Sequence, residues 1–415
     1  MNLLAKHSQN KEDKSTIITL GNLAKAHKQN DPEVIDATIG MLYNEDGTLF
    51  TFQSVERALQ SLTPTEKYAY ASTAGSADYH EAVKRWVFQD QYDFLLSHFS
   101  CAVMATPGGS GAISNTFTNY LNEEDTVLLP EYMWGNYKQF AYENFASYQT
   151  YRLFQNGRFD LTDLFLKMDI VKQKQKRIFL VINDPCHNPT GYSMEKEEWQ
   201  KLIEKINEVS ADGTPFILLW DMAYIDYEEK GMAFTRNNLA LLSQLCSSVL
   251  TVLAFSASKT MGLYGLRVGA QIALSKDLEA IEAFRKANQF SSRAKWSTTS
   301  QLGMNLVRKI MLEPDLCQSF TQELALSRQL LAKRAQLFLS GCRKANLATL
   351  PFSCGFFITI PCLRPQEVYE RLVLQKIHVI PLENCLRVAI ASLSCAECEK
   401  LPPLIAETIL KSETK

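Results

Sequence analysis

Six short apolar runs, at residues 101–105, 126–129, 178–182, 216–220, 249–255 and 268–273, recur through the middle of this chain with helical or polar segments between them. A strand that is apolar along its length, rather than at alternate positions, needs cover on both faces. The pattern therefore predicts an α/β fold, a mostly parallel sheet flanked by helices. A charged stretch with helical patterning at 312–344, free of proline after Pro314, predicts a long helix between two lobes. Beyond it, β-like runs at 355–360 and 387–391 and a helical stretch ending near Lys411 predict a smaller α+β lobe. We expect an N-terminal segment over 1–45 that joins the small domain, a large domain over 46–315 and the small domain over 316–415. A chain of 415 residues, 46% of them hydrophobic, is long enough to bury such a core.

Charge and thiol content exclude several classes. Lys plus Arg (43) almost balance Asp plus Glu (45), which leaves no field to gather nucleic acid or an anionic membrane. The most apolar stretch, around 249–257, is about half of the roughly 18 residues that a membrane-spanning helix needs. The opening Met1-Asn-Leu-Leu-Ala-Lys-His-Ser-Gln-Asn10 turns polar too soon for the apolar core of a signal peptide, so a cytoplasmic location is expected. Ten irregularly scattered cysteines fit reduced thiols. The one CxxC, Cys395-Ala-Glu-Cys398, has no second pair and no nearby histidine, so no metal is expected.

In a sheet of this kind ligands bind beyond the carboxyl ends of the strands, so the residues that end each run carry the functional information. The first ends in Thr106-Pro-Gly-Gly-Ser-Gly-Ala112 and becomes helical, which brings backbone N–H groups to a helix N-terminus where a phosphate binds, although a tight turn would look the same. The fourth ends in Asp221-Met-Ala-Tyr224. A carboxylate there is either a helix cap or a partner for a cationic or proton-donating ligand, and a protonated pyridine ring is such a ligand. The fifth ends in Ser256-Ala-Ser-Lys259, followed by Arg267. A lysine ending an apolar strand either reaches out to solvent or, if buried, loses its proton readily and becomes a nucleophile. Two serines and an arginine beside it supply donors for one phosphate.

Taken together, Ser256-x-Ser-Lys259 with Gly-Leu-Tyr-x-x-Arg267-Val-Gly, Asp221-x-Ala-Tyr224, His187-Asn188-Pro-Thr-Gly191 and Thr106-Pro-Gly-Gly-Ser-Gly111 resemble the class I/II aminotransferases of pyridoxal phosphate fold type I, especially the aspartate and aromatic branch. The resemblance runs from about Asp36 to Ala391. It implies pyridoxal 5'-phosphate held as a Schiff base by Lys259, which also shuttles the substrate proton. It implies Asp221 against the pyridine nitrogen, Asn188 and Tyr224 against the ring oxygen, and Trp134 stacked on the ring. Gly109, Ser110, Ser256, Ser258 and Arg267 would hold the phosphate, with Tyr70 reaching it from the neighbouring subunit of a homodimer that shares its active sites. Arg387 and the backbone at Gly40 would hold the substrate α-carboxylate, and Arg293 would cross the dimer to a side-chain carboxylate. The implied reaction is transfer of an amino group between an L-amino acid and a 2-oxo acid, an acidic donor being favoured and an aromatic one allowed. Trp296, Thr298-Thr299, Gly355-Phe356 and Asn183 depart from that branch and bear on the donor. A β-lyase or decarboxylase on the same cofactor is the alternative. A cofactor-binding transcription regulator is remote, because no helix-turn-helix pattern precedes the core.

Overall fold

All six runs become strands of one seven-stranded sheet in the computed structural model, which describes residues 3–9, 11 and 16–413. The strands are β1 (Ser100–Thr106), β2 (Thr126–Pro130), β3 (Ser147–Tyr151), β4 (Ile178–Asn183), β5 (Phe216–Asp221), β6 (Val249–Ser256) and β7 (Gly269–Ser275), in the order β1-β7-β6-β5-β4-β2-β3. The pairings from β6 across to β3 are parallel, whereas β7 runs against both of its neighbours. β3 carries no apolar run. It is an edge strand, Ser-Tyr-Gln-Thr-Tyr, paired on one side with β2 and buried only at Tyr151, so nothing required it to be hydrophobic.

Every residue of β4, β5 and β6 is buried, because helices cover both faces. On one face, helix α2 (Gly108–Tyr120) packs Ala112, Ile113 and Phe117 against Phe179, Val181 and Leu219. On the other, helix α3 (Lys196–Ser210) packs Trp199, Leu202 and Ile206 against Leu180 and Trp220, with the two indoles stacked at 3.8 Å. Each Leu- or Ile-sized side chain buried this way contributes about 2 kcal/mol, and cover on both faces lets consecutive residues of β4–β6 contribute rather than every second one.

The expected helix at 312–344 is broken at its start. One helix ends at Leu312, Glu313 is extended, and a second helix begins at Pro314, because the residue before a proline is driven out of the helical region. That second helix (Pro314–Lys344) buries Phe320, Leu324 and Leu331 in the large core and then Ala335, Phe338 and Cys342 in a smaller one. The smaller core is closed by an antiparallel sheet of β8 (Phe357–Pro361), β9 (Ile380–Pro381) and β10 (Cys385–Ala389), in the order β8-β10-β9, and by the C-terminal helix Cys395–Glu413. The N-terminal helix α1 (Thr16–Asn30) precedes Ile35–Asp36, which pairs in parallel with Ile377–His378 and ties the start of the chain to this lobe.

Candidate active site

Strand register brings the sequence-predicted residues to one edge of the large sheet. Gly269 lies level with Thr106 on one side and Ser256 on the other, and Asp221 lies level with Asn183 and Ala254. Beyond this edge is a cavity of about 300 Å³ lined by Gly40, Gly109, Ser110, Trp134, Asn188, Asp221, Tyr224, Ser256, Ser258, Lys259, Arg267 and Arg387. Twelve of the expected site residues thus share one cavity.

Asp221 is buried at the end of β5, and burial pushes its carboxyl up to about 6. The Tyr137 hydroxyl donates to its Oδ2 at 2.5 Å and the Ala223 N–H to its Oδ1 at 3.1 Å; both, with the more distant Lys259 charge, oppose that rise. Lys259 is moved the other way. Burial, with Arg267 and Arg387 nearby, brings its ammonium down to about 8, against the pull of Asp221. Its Nζ lies 4.8 Å from the ring centre of Tyr264 and 5.9 Å from that of Tyr224.

A cluster of hydrogen-bond donors closes this end. Gly108 begins α2 with φ +72°, and a side chain there would come within 2.8 Å of the Arg267 guanidinium. The same guanidinium donates to Ser258 Oγ at 3.1 Å and to the Tyr264 carbonyl at 2.8 Å. Arginine, two serines and the first N–H groups of α2 form the donor set that a phosphate needs. With an acid for a ring nitrogen and an amine for an aldehyde, the residues present fit pyridoxal phosphate.

At the other end Arg387, on β10, is buried and pushed down to about 10 by that burial. It lies 4.4 Å from the Phe357 ring centre, donating to the Thr38 carbonyl at 2.6 Å and to Asn188 Oδ1 at 3.3 Å. Its Nε has no hydrogen-bond partner, a buried donor whose natural acceptor is a ligand carboxylate. Asn183 links these groups: its side chain accepts from the Asn188 N–H at 2.8 Å and donates to the Asp221 carbonyl at 3.1 Å.

Tyr70 and Arg293 are not brought into this cavity. Tyr70 is 97% exposed, and Arg293, near the end of helix Leu278–Lys295, turns to Ser297 Oγ at 2.6 Å. Sequence reasoning also missed participants. Tyr137 lies one turn past Trp134, and Tyr264 accepts the Leu42 N–H at 2.9 Å beneath Lys259. Ile17, Ile39, Met41 and Phe357 add an apolar wall. Only Tyr264 had a signal, its place in the Gly-Leu-Tyr motif. The expectation of no metal rested on the CxxC; among the described residues the three-dimensional cluster of metal-type ligands is instead Cys186, Glu228 and Cys354.

Comparisons with known proteins give the family. The family described as aminotransferase class I and II matches residues 32–402. The mitochondrial aspartate aminotransferase of Saccharomyces cerevisiae is 28% identical over 261 residues, 57% of this chain and 56% of that protein. The aromatic-amino-acid aminotransferase of Escherichia coli is 27% identical over 77% of this chain and 79% of its own length. A crystal structure of an aminotransferase from Anaerococcus prevotii superposes with a TM-score of 0.93 at 27% identity, covering 99% of this chain and 100% of that one. The chain belongs to the class I and II aminotransferase family.

Proposed function

We propose that this protein transfers an amino group between an L-amino acid and a 2-oxo acid with pyridoxal phosphate, an acidic amino acid being the favoured donor. The observation that carries the reading is the single cavity in which an amine lowered to about 8, a carboxyl raised to about 6 and two arginines at opposite ends converge. When bound, pyridoxal phosphate supplies an aldehyde carbon to receive the amino group and a ring that withdraws electrons from it.

The chain's own residues do the rest. Arg267, Ser256, Ser258 and the N–H groups at Gly109 and Ser110 hold the phosphate. Asp221, fixed by Tyr137, keeps a proton on the ring nitrogen. Asn188 and Tyr224 orient the ring oxygen, and Trp134 covers the ring face. Arg387, with Gly40, fixes the substrate carboxylate. The Nζ of Lys259, neutral in a useful fraction near neutral pH, takes the proton from the substrate α-carbon and delivers it again. Tyr70 and Arg293 act across a homodimer, the first on the partner's phosphate and the second on a side-chain carboxylate, which suits their exposed positions outside their own cavity. We divide the chain at 1–45, 46–315 and 316–415; the helix from Pro314, which serves both cores, supports a boundary at its start. Ten cysteines without a disulfide support a cytoplasmic setting. No described helix is long and apolar enough to cross a membrane.

The test is product analysis of the purified, cofactor-loaded protein with a panel of amino acids and 2-oxoglutarate. The expected result is a new 2-oxo acid with stoichiometric glutamate. Ammonia with pyruvate, or carbon dioxide, without amine transfer would instead mean a β-lyase or decarboxylase. Sedimentation at graded concentration tests the dimer, and Arg293→Ala tests the donor: unchanged glutamate use would remove its role.

A further inference from the structure

Outside the site, the loop after β4 and the segment before β8 carry two thiols that no catalytic role uses. Cys186 and Cys354, 168 positions apart, lie with their sulfurs 3.2 Å apart in a buried seam. The segments meet closely: the N–H groups of Ser353 and Cys354 donate to the Gly191 carbonyl at 2.8 and 2.9 Å. Gly355, at φ +100°, leaves so little room that a side chain there would come within 2.5 Å of Cys186 Cβ.

The surrounding groups are asymmetric. Cys354 donates its S–H to the buried Glu228 carboxylate at 3.2 Å. With that proton committed, Cys186 S–H and Ser193 O–H, each 3.2 Å away, both point at the Cys354 sulfur. Two donors facing one sulfur and a carboxylate placed to take its proton mark Cys354 as the attacking sulfur.

We propose that Cys186 and Cys354 form a reversible redox disulfide, with hydrogen peroxide as oxidant and Glu228 as the base for Cys354. Opening of the seam admits the peroxide, which is little larger than water. Glu228 takes the Cys354 proton, the sulfur attacks one peroxide oxygen, and the O–O bond breaks; the departing hydroxide collects the proton from Glu228 and leaves as water. The Cys186 sulfur then attacks the sulfenic sulfur, the S–O bond breaks, and hydroxide leaves with the Cys186 proton as a second water. Each sulfur gives up one electron, and the peroxide is reduced. Closing the bond requires the sulfurs to approach by about 1.2 Å, to near 2.05 Å. A zinc ion fits less well, since tetrahedral thiolates at about 2.3 Å from the metal sit about 3.8 Å apart and a fourth strong ligand is wanted. The bond would tie the loop that bears Asn188 to the segment that leads into Phe357.

The experiment treats the reduced full-length protein with hydrogen peroxide, blocks remaining thiols under denaturing conditions, and maps non-reduced peptides by mass spectrometry. The expected result is loss of two of the ten thiols, one cross-linked peptide pair containing Cys186 and Cys354, two hydrogens lighter than its parts, and its disappearance with dithiothreitol. Recovery of both cysteines blocked, their conversion to sulfinic acid without a link, or linkage to other cysteines would overturn the proposal. So would stoichiometric zinc that protects both thiols, which would make this a metal site. Cys186→Ser should leave a dimedone-reactive Cys354, and Glu228→Gln should slow linkage about tenfold or more; an unchanged rate removes Glu228 from the step. The wild-type map decides even if a variant fails to fold.

Discussion

Tyr137→Phe removes one buried hydrogen bond from an ionised carboxylate and leaves the ring in place. Its hydroxyl sits 2.5 Å from Asp221 Oδ2, and both side chains are buried. A hydrogen bond to a charged group contributes about 1.5–3 kcal/mol, and about 1.4 kcal/mol corresponds to one pH unit. Losing it should move the Asp221 carboxyl from about 6 to roughly 7–8 in the cofactor-free protein. At pH 7 the ionised fraction would then fall from about nine-tenths to about a quarter, if the midpoint of that range holds. Because only the ionised carboxylate pairs with a protonated ring nitrogen, pyridoxal phosphate should bind about fourfold more weakly at pH 7, and the difference should shrink to nothing by about pH 9. The assay is equilibrium titration of the cofactor-free protein, followed by tryptophan fluorescence from pH 6 to 9. The variant-to-wild-type ratio cancels every titration that does not depend on the charge of Asp221. A ratio that stays flat with pH would refute the electrostatic account and leave only packing.

Three further outcomes follow from the same geometry. Lys259 has a folded-state value of about 8, below its ordinary 10.5, so its charge opposes folding fully below pH 8 and the opposition fades as pH rises to 10.5. Lys259→Met should therefore be more stable by about 3 kcal/mol at pH 7, with no advantage above pH 10.5, while its amine transfer falls at least about a thousandfold; denaturant titrations at several pH values check the first and product formation the second. Arg387→Lys replaces a planar fork with a point charge, and KM for the amino acid should rise roughly 30- to 100-fold with a smaller change in kcat. Equal affinity for the amino acid would show that the unpartnered Nε faces no carboxylate. Gly355→Ala forces a β-carbon into contact with Cys186 at a left-handed position, and should cost about 2–4 kcal/mol by denaturant unfolding; a neutral result would mean the seam yields easily.

Much of this architecture was legible because fully covered strands must be apolar. The runs at 178–182, 216–220 and 249–255 differ from β4, β5 and β6 by a single residue at the carboxyl end. Those added residues, Asn183, Asp221 and Ser256, are polar because they face the cavity, which hides them from a search for apolar runs and also marks them as functional. β3 was illegible because an edge strand with one neighbour has no such constraint. Glu313 shows a local rule overriding a periodic one, since Pro314 interrupts a pattern that is helical on both sides. The cofactor and substrate ends of the site could be read from strand ends plus a family likeness. Tyr137 could not, because its hydroxyl reaches Asp221 from a short helix with no motif. The cluster of Cys186, Glu228 and Cys354 lay still further out of reach: three separate segments bring it together, and no spacing in the chain encodes it.

In the large sheet, the strand that runs against its neighbours, β7, shapes how this site could change. Had β7 run parallel to β6, the chain after Lys259 would have had to cross to the far edge of the sheet before starting it. Because β7 starts where β6 ends, the chain passes from Ser256 through Lys259 to Arg267 and Gly269 without leaving the ligand edge. The amine and the phosphate cation are thus carried on a single short return and inherited together. An insertion or deletion within it would shift both at once, so variation in chain length here should be far less tolerated than at the turns on the opposite edge.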